Sequence, residues 1–235
     1  MYFQHSADIW AEFPELVVGV VFANRITPGI SVANRTTPFT ETAASRLATG
    51  TEGEFPEIQA WRRAFSRMGF KPTQYRCAAE SLLRRFRKER SLPQIHPLID
   101  LCNAISLGFA VPIAVFDVAQ VNGGLTVRHA TGDESHLTFA GETEHPEPRE
   151  VIFADDSGRA HARRWTNRQS RYSAVSDSTG SVLVVAEAMH DTALADVQKL
   201  TAAVAEELGA TSSSATRTAM LTASSPRFEF GADSS

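Results

Sequence analysis

The sequence predicts an α+β fold: a single domain with a largely antiparallel sheet flanked by helices. Two observations lead to this prediction. A Val-rich strand near the N-terminus is followed by several amphipathic helices and then by many short strands separated by turn residues. The chain has 235 residues, 43% of them hydrophobic, which is enough for one sizeable core. The order of the predicted helices and strands does not match a doubly wound parallel sheet.

Three segments differ in composition. Residues 1–10 are set apart because MYFQH resembles the remnant of a protease cleavage site, and we expect them to add nothing to function. Residues 11–210 carry the patterned helices and strands of the domain. Residues 211–235 are dominated by Ser, Thr and Ala, and we expect a weakly ordered or extended tail there.

The first half of the domain is predicted to be mostly helical. Leu16–Phe22 is a continuous apolar run and predicts a buried strand. Pro, Gly, Thr and Asn make Asn24–Phe39 loop-like, and a short helix is predicted over Glu41–Leu47. Apolar residues at helical spacing predict two longer helices, over Pro56–Phe70 and over about Thr73–Arg90.

The centre of the chain predicts a helix over Pro97–Leu107 and a strand over Val111–Val118. Asp100 and Asn103 interrupt the apolar stripe of this helix. Polar groups at the edge of a buried face must find partners, either inside the protein or in a ligand. The helix is therefore a candidate pocket wall.

Turn residues divide the second half of the domain into strands and one helix. Asn122, Gly123 and Gly124 are typical of a tight hairpin turn, here joining Val111–Val118 to Leu125–Ala130. The remaining predicted elements are the strand Ser135–Phe139, the hairpin strands Val151–Ala154 and Ala160–Thr166, the strand Ser181–Ala186 and the helix Thr192–Leu208.

Composition and motifs argue against several function classes. With a net charge of −4, no global basic field attracts nucleic acid, so any such contact must use a local surface. No apolar run reaches membrane-spanning length and no secretory signal is visible, so we expect a cytoplasmic protein. Motifs of serine hydrolases, nucleotidases and zinc enzymes are absent, and we expect no metal or cofactor. Single surface positions are the simpler interpretation of His129, His136, His145 and His161.

Two pairs of residues on the predicted helices have structural as well as functional interpretations. Cys77 and Cys102 lie in apolar helical patterns, which favours reduced thiols in the core over a disulfide or a nucleophile. Arg76 and Glu80 are one helical turn apart, so they either pair with each other or, with Ser81, line a pocket.

Two basic clusters are candidates for RNA contact. Arg84, Arg87 and Lys88 lie in the run RRFRKER, where they either meet phosphates or form a solvated helix end. If they bind RNA, reversing these three charges is expected to weaken binding without unfolding. The second cluster, residues 163–171, interleaves Arg, Trp and amide groups, which suits phosphate and base contact or an exposed strand edge.

Four motifs follow one another along the chain: Asp100 with Asn103, Phe116 with Asp117, the hairpin GGLTVRHATGDE, and W-x-x-R-Q-S at residues 165–170. This ordered series resembles the B3/B4 editing domain of the bacterial phenylalanyl-tRNA synthetase beta subunit, and its last motif is similar to the form usual in freestanding members. The chain departs from the synthetase pattern in having Arg168 or Gln169 where that domain carries a Glu that helps to recognise tyrosine, and Ala114 where a His is common. The resemblance therefore implies the pocket without the tyrosine specificity.

The resemblance implies a trans-acting editing hydrolase that deacylates mischarged tRNA, in which water attacks the ester between a wrong amino acid and the tRNA 3′-adenosine. No strong nucleophile or base is evident, so we expect catalysis by positioning. The expected roles are donors to the ester or amino-acid group (Arg168, Gln169, Ser170), substrate contacts (Asn103, Arg76, Glu80, Ser81, Trp165) and contacts to the tRNA backbone (Arg84, Arg87, Lys88).

We expect the pocket to lie between Pro97–Leu107, Val111–Val118 and Arg163–Arg171, since all three segments carry family-like polar groups beside apolar runs. The alternative function is a non-catalytic module that binds RNA or a small amino-acid-like ligand. The departure at the family's Glu and the acidic net charge favour that alternative. Deacylation of mischarged tRNAs distinguishes the two.

Overall fold

The computed structural model describes residues 1–29, 32–211 and 215–231 and has the predicted α+β architecture. The helices are α1 (Ala7–Glu12), α2 (Ala33–Thr49), α3 (Pro56–Arg67), α4 (Ala78–Glu89), α5 (Pro97–Phe109) and α6 (Ala193–Thr211). The strands are β1 (Tyr2–His5), β2 (Val17–Asn24), β3 (Ile113–Asp117), β4 (Gly124–His129), β5 (His136–Leu137), β6 (Thr143–Glu144), β7 (Val151–Asp155), β8 (Ala160–Arg163), β9 (Arg168–Gln169), β10 (Ser181–Ala188), β11 (Thr216–Leu221) and β12 (Arg227–Glu229).

Two larger sheets organise the domain. One has the strand order β12-β1-β4-β7-β8-β9 and the other has the order β11-β2-β10-β3, while β5 and β6 form a separate ribbon. Neighbouring strands are antiparallel except for β1 and β4, which are parallel. Successive residues of β10 point to opposite faces: Leu183 and Val185 join the main core cluster, whereas Val182 and Val184 pack with α5 and α6.

The predicted hairpin between the β3 and β4 regions is wrong, because β3 belongs to the four-stranded sheet and β4 to the six-stranded one. Asp117 ends β3 by accepting a 3.0 Å hydrogen bond from the Ala119 N–H, which begins a 3₁₀ turn. Across the turn, Asp155 and Asp156 accept backbone hydrogen bonds from Asn122 and Gly124, each 3.1 Å long. The Asn-Gly-Gly signal therefore marks a tight crossing between sheets.

Helix α2 covers part of the segment predicted as a loop, and it extends through the short helix predicted at 41–47. Its Thr-rich sequence is a poor helix former, but tertiary packing stabilises it. The helix lies against α5, where a Cβ built on Gly108 would be 3.1 Å from the Cβ of Phe39. The rings of Phe39 and Phe109 are 6.4 Å apart. Helix α4 starts at Ala78, later than expected.

Strands near both ends of the described chain pair within the sheets. The first five residues, set aside as a remnant, contain β1, which lies between β12 and β4 and buries Phe3 and His5. In the described part of the Ser/Thr/Ala-rich tail, β11 pairs with β2 and β12 pairs with β1. Backbone pairing and the buried Phe228 supply the order that composition alone did not predict. No helix in the described segments is both long and apolar enough to cross a membrane.

Candidate functional site between the two sheets

A cavity lies between the two larger sheets, where the chain turns from β8 into β9. Its walls come from β3, β10, β7, β8, the segment 165–169 and the first residue of α4, Ala78. The cavity volume is about 60 Å³. That is roughly four times the minimum that one water molecule needs, so a small chemical group fits there.

The turn that borders the cavity is held in an uncommon backbone conformation. Arg164 and Trp165 have φ angles of 46° and 56°, in the left-handed region that side chains disfavour. Three hydrogen bonds hold the turn: Trp165 N–H to the Val151 carbonyl at 2.7 Å, Ala78 N–H to the Thr166 carbonyl at 2.8 Å, and the Asn167 amide to the Arg76 carbonyl at 2.7 Å. The turn is thereby fixed to β7 and to the N-terminus of α4.

Glu187, which the sequence analysis missed, is the acidic residue in the cavity wall. It follows Val185 on the same face of β10 and is 2% exposed. Its Oε1 accepts hydrogen bonds from His5 Nε2 at 2.6 Å and from Trp165 Nε1 at 3.0 Å. Among the described residues, its Oε2 has no hydrogen-bond partner. The only sequence signal was one carboxylate just beyond the predicted strand Ser181–Ala186.

Arg168 and Gln169, predicted as donors to the ester, both border the cavity. The Gln169 amide donates a 2.5 Å hydrogen bond to the Val115 carbonyl, which ties the two sheets together. The Arg168 guanidinium donates a 2.9 Å hydrogen bond to Glu144. Each side chain is thus oriented by the protein, and each keeps further N–H groups beyond the one bonded.

Ser170, the third predicted donor, does not line the cavity and is fully buried. Its hydroxyl donates to the Leu137 carbonyl at 2.9 Å and accepts from the N–H groups of Leu137 and Tyr172. These contacts occupy its donor and fasten β5 to the turn that follows β9.

The predicted substrate contacts Arg76, Glu80 and Ser81, at and just before the start of α4, have partners inside the protein. Glu80 is 1% exposed and forms ion pairs with Arg62 at 2.7 Å and Arg76 at 3.4 Å. This is the pairing that the one-turn spacing indicated. The Ser81 hydroxyl donates a 3.3 Å hydrogen bond to the Cys77 carbonyl. None of these side chains borders the cavity, although α4, which carries Glu80 and Ser81, begins there.

The cavity uses the predicted strand and the predicted turn, but helix α5 is not one of its walls. The buried stripe of α5, including Leu101 and Cys102, packs with the β10 residues that face away from the cavity. Asn103 on this helix is half-buried and does not line the cavity, whereas Trp165 does. The α5 residue Asp100 accepts the Ile95 N–H at 2.9 Å, a contact at the start of the helix.

The basic run on α4 is anchored by one buried carboxylate. Glu52 is 2% exposed and lies 3.2 Å from Arg84 and 2.9 Å from Arg87. Lys88 is exposed, and Arg85 pairs with exposed Glu89 on the same helix. Reversing Arg84 and Arg87 should therefore also destabilise the fold, which revises the expectation for these two arginines, because Glu52 would lose its partners.

The second basic cluster is mostly engaged in internal contacts. Arg163 is 4% exposed and holds Glu150 at 2.9 Å and Glu144 at 2.6 Å. The guanidinium of Arg164 lies over the Tyr75 ring, 4.8 Å from its centroid. These arginines hold the β8–β9 turn in place. The sequence pattern had also allowed them to contact RNA.

A hydrogen-bonded chain with the residue types of a hydrolytic triad lies outside the cavity. His161 Nδ1 is 2.8 Å from the Ser173 hydroxyl and its Nε2 is 3.1 Å from Asp155. Ser173 and His161 are fully buried, so no substrate reaches the hydroxyl. The surface interpretation was wrong for His161 and for His136, both 0% exposed. Burial lowers the pKa of His136 to about 4.

The two cysteines are buried and free, as predicted. Burial raises the pKa of the Cys77 and Cys102 thiols to about 12, so neither supplies a thiolate near neutral pH. In the described segments, no group of three or more His, Cys, Asp or Glu side chains could hold a metal ion.

Comparison with known proteins identifies the family of this chain. The family model of the B3/4 domain matches residues 60–235, which include every wall of the cavity. The chain belongs to the B3/4 domain family. The family assignment confirms the resemblance on which the sequence analysis relied.

Relatives of this B3/4 chain include phenylalanine–tRNA ligase beta subunits. The Chromobacterium violaceum protein is 39% identical over 74 residues, which are 31% of this chain and 9% of that protein. The Photorhabdus laumondii protein is 24% identical over 131 residues, 54% of this chain and 16% of that protein. An N-terminal fragment of the Pyrococcus horikoshii phenylalanyl-tRNA synthetase beta subunit aligns over 92% of this chain and 49% of its own, with a TM-score of 0.47 and 11% identity.

Proposed function

We propose that this B3/4 protein is a trans-acting aminoacyl-tRNA editing hydrolase whose active site is the cavity between the sheets. The observation that carries the proposal is the composition of that cavity within the family-matched residues. It joins an apolar wall, including Ala114 and Val185, to the polar side chains of Asn167, Gln169 and Glu187. A pocket of this kind suits a small ligand that has an apolar side chain and a polar ester.

Hydrolysis of an aminoacyl ester needs little more than orientation. Water attacks the ester carbonyl carbon, the bond to the tRNA 3′-oxygen breaks, and a proton passes to that oxygen. Arg168 and Gln169 border the cavity and keep N–H groups that can donate to the oxyanion formed during attack. Their bonds to Glu144 and Val115 hold them in place before the substrate arrives, which lowers the cost of reorganisation.

The path of the tRNA follows helix α4 in this proposal. Ala78 at its N-terminus borders the cavity, and Lys88 lies ten residues further along, about 15 Å away at 1.5 Å per residue. A 3′ end in the cavity would thus bring the preceding phosphates near the basic run. Because these contacts are to phosphates, the affinity for tRNA should fall as the salt concentration rises, with a slope set by the number of cations engaged. An aminoacyl-tRNA substrate also implies action in the cytoplasm.

A panel of mischarged tRNAs tests the proposal. We expect wild-type protein to release the amino acid from at least one of them faster than the spontaneous rate. Arg168→Ala and Gln169→Ala should lower that rate on the order of a hundredfold while changing tRNA affinity little, because oxyanion donors act mainly in the transition state. Equal losses of rate and affinity would contradict this role for the two residues.

The second candidate is a non-catalytic module that binds an amino-acid-like ligand. One observation favours it: the Gln169 amide and the Arg168 guanidinium are both already engaged in internal hydrogen bonds. Ligand binding without hydrolysis of any tRNA in the panel would select this function.

A further inference from the structure

We infer that the cavity is a site for an ammonium group, and that the carboxylate of Glu187 binds the α-ammonium of an unacylated amino-acid ester. The identity of the ligand as an aminoacyl ester rests on the proposed function. The ammonium preference rests on the cavity alone.

The hydrogen bonds of Glu187 leave one oxygen for a ligand. Both internal donors, His5 Nε2 and Trp165 Nε1, bind Oε1. Oε2 has no partner in the described part of the chain, although the residue is 2% exposed and borders the cavity. A carboxylate oxygen in such a sheltered position meets little solvent, so an incoming N–H donor is favoured there.

Among the described residues, no Arg or Lys side chain pairs with the Glu187 carboxylate, whose side-chain donors are His5 and Trp165. His5 Nδ1 has no hydrogen-bond partner among the described residues, so the ring contacts Glu187 through Nε2 alone. Arg168, the cationic residue among those that border the cavity, pairs with Glu144 at 2.9 Å. A ligand ammonium would complete the ion pair.

The other wall residues of the cavity limit the size and polarity of the ligand side chain that is bound together with the ammonium group. Ile113, Ala114 and Val185 are apolar, and a volume of about 60 Å³ leaves room for a small aliphatic group. The ligand class is therefore a small α-amino acid with a free amino group and an ester or amide in place of the acid. An acylated amino group lacks the positive charge and adds bulk, so the site should reject it.

Binding of valinamide and N-acetylvalinamide, followed by titration calorimetry or NMR, tests the inference without requiring hydrolysis. We expect wild-type protein to bind valinamide at least tenfold more tightly than its acetylated form. Glu187→Gln should lose that preference, since its amide oxygen still accepts from His5 and Trp165 while the charge is gone. Glu57→Gln, at a carboxylate paired with Arg46 outside the cavity, should keep it.

Equal affinity of wild-type protein for the two amides, or no binding of either, would overturn the inference. So would an unchanged preference in a folded Glu187→Gln protein. Hydrolysis of mischarged tRNA is measured separately: a preference for valinamide without hydrolysis rejects the proposed function alone, and hydrolysis of free and N-acetylated aminoacyl-tRNA at equal rates rejects the ammonium site alone.

Discussion

The indole Nε1 of Trp165 donates a 3.0 Å hydrogen bond to Oε1 of Glu187, and so connects the turn after β8 to the middle of the domain. The Trp165 ring is fully buried, with the Trp61 ring 5.2 Å away and the Phe13 ring 4.8 Å away. A turn in a left-handed conformation is thus fastened by packing on one side and by a carboxylate on the other. Both residues of this contact border the cavity.

Replacing Trp165 with Phe should destabilise the protein. The change removes the buried N–H that bonds Glu187 and part of the ring, and we expect a loss of about 1–3 kcal/mol in the free energy of unfolding. Trp10→Phe is the matched control, because the Trp10 Nε1 is buried without a partner in the described residues. Denaturant unfolding of the two variants gives the comparison. An equal or larger loss for Trp10→Phe would show that the Glu187 contact contributes little.

Stability should fall between pH 7 and pH 5 because of His136. Burial lowers its pKa from 6.5 to about 4, so the unfolded state takes up a proton in this range and the folded state does not. Above pH 6.5 His136 is neutral in both states and the free energy of unfolding is at its full value. Below that pH the free energy of unfolding falls, and the loss reaches roughly 2 kcal/mol at pH 5. His136→Gln should flatten the profile, and His145→Gln, at an exposed position, should not. Parallel profiles for wild type and His136→Gln would refute this assignment.

Two double charge reversals on α4 separate RNA contact from folding. Arg84→Glu with Arg87→Glu and Arg85→Glu with Lys88→Glu change the net charge equally, and both should weaken tRNA binding at low salt. Only the first pair removes the partners of buried Glu52. We expect it to cost on the order of 2 kcal/mol, discounted because both arginines are over 40% exposed.

Thermal unfolding measures the stability of these double variants, and filter binding measures their affinity for tRNA. Affinity that neither pair changes would return the basic run to a solvated helix end. Equal stability of the two double variants would mean that Glu52 does not need its arginines.

The two cysteines should respond differently to serine. Cys77 is the N-cap of α4, and its sulfur accepts the Glu80 N–H at 3.4 Å. Ser is a preferred N-cap, so Cys77→Ser should be neutral or slightly stabilising. Cys102 lies in an apolar cluster, and Cys102→Ser should cost about 1–2 kcal/mol. Unfolding curves measure the stability of the two variants, and deacylation assays measure their activity, which both should retain when folded. Loss of activity in a folded Cys102→Ser protein would require a thiol mechanism.

Local signals predicted local structure well. Pro97 occupies the first turn of α5, and the ring of His96 caps that helix by accepting the Leu98 N–H at 3.2 Å. The turn residues between Val151–Ala154 and Ala160–Thr166 identified the β7–β8 hairpin, which the structure confirms. These features depend on residues close in sequence, whose spacing directly reflects the helix or strand period.

Non-local relationships were not predictable in the same way. The pairing of β1 with β4 joins residues more than one hundred positions apart, and no pattern within either segment indicates it. The cavity residue Glu187 was not predicted, because a single acid beside an apolar run is also typical of an ordinary strand end. Its place in the cavity wall depends on the fold, which brings His5 and Trp165, both distant in sequence, into hydrogen-bonding contact with its side chain.

The central claim, that the cavity is where the aminoacyl ester is hydrolysed, is tested most directly by single-turnover deacylation with an Ala114→Leu variant. Leu at this wall position fills the cavity and removes no polar group. We predict that the wild-type protein deacylates a preferred mischarged tRNA, that Ala114→Leu loses this activity while its tRNA affinity is unchanged, and that Ala119→Leu, at an exposed position, stays active. Wild-type rates in a folded Ala114→Leu protein, or no hydrolysis of any mischarged tRNA by wild type, would contradict the claim.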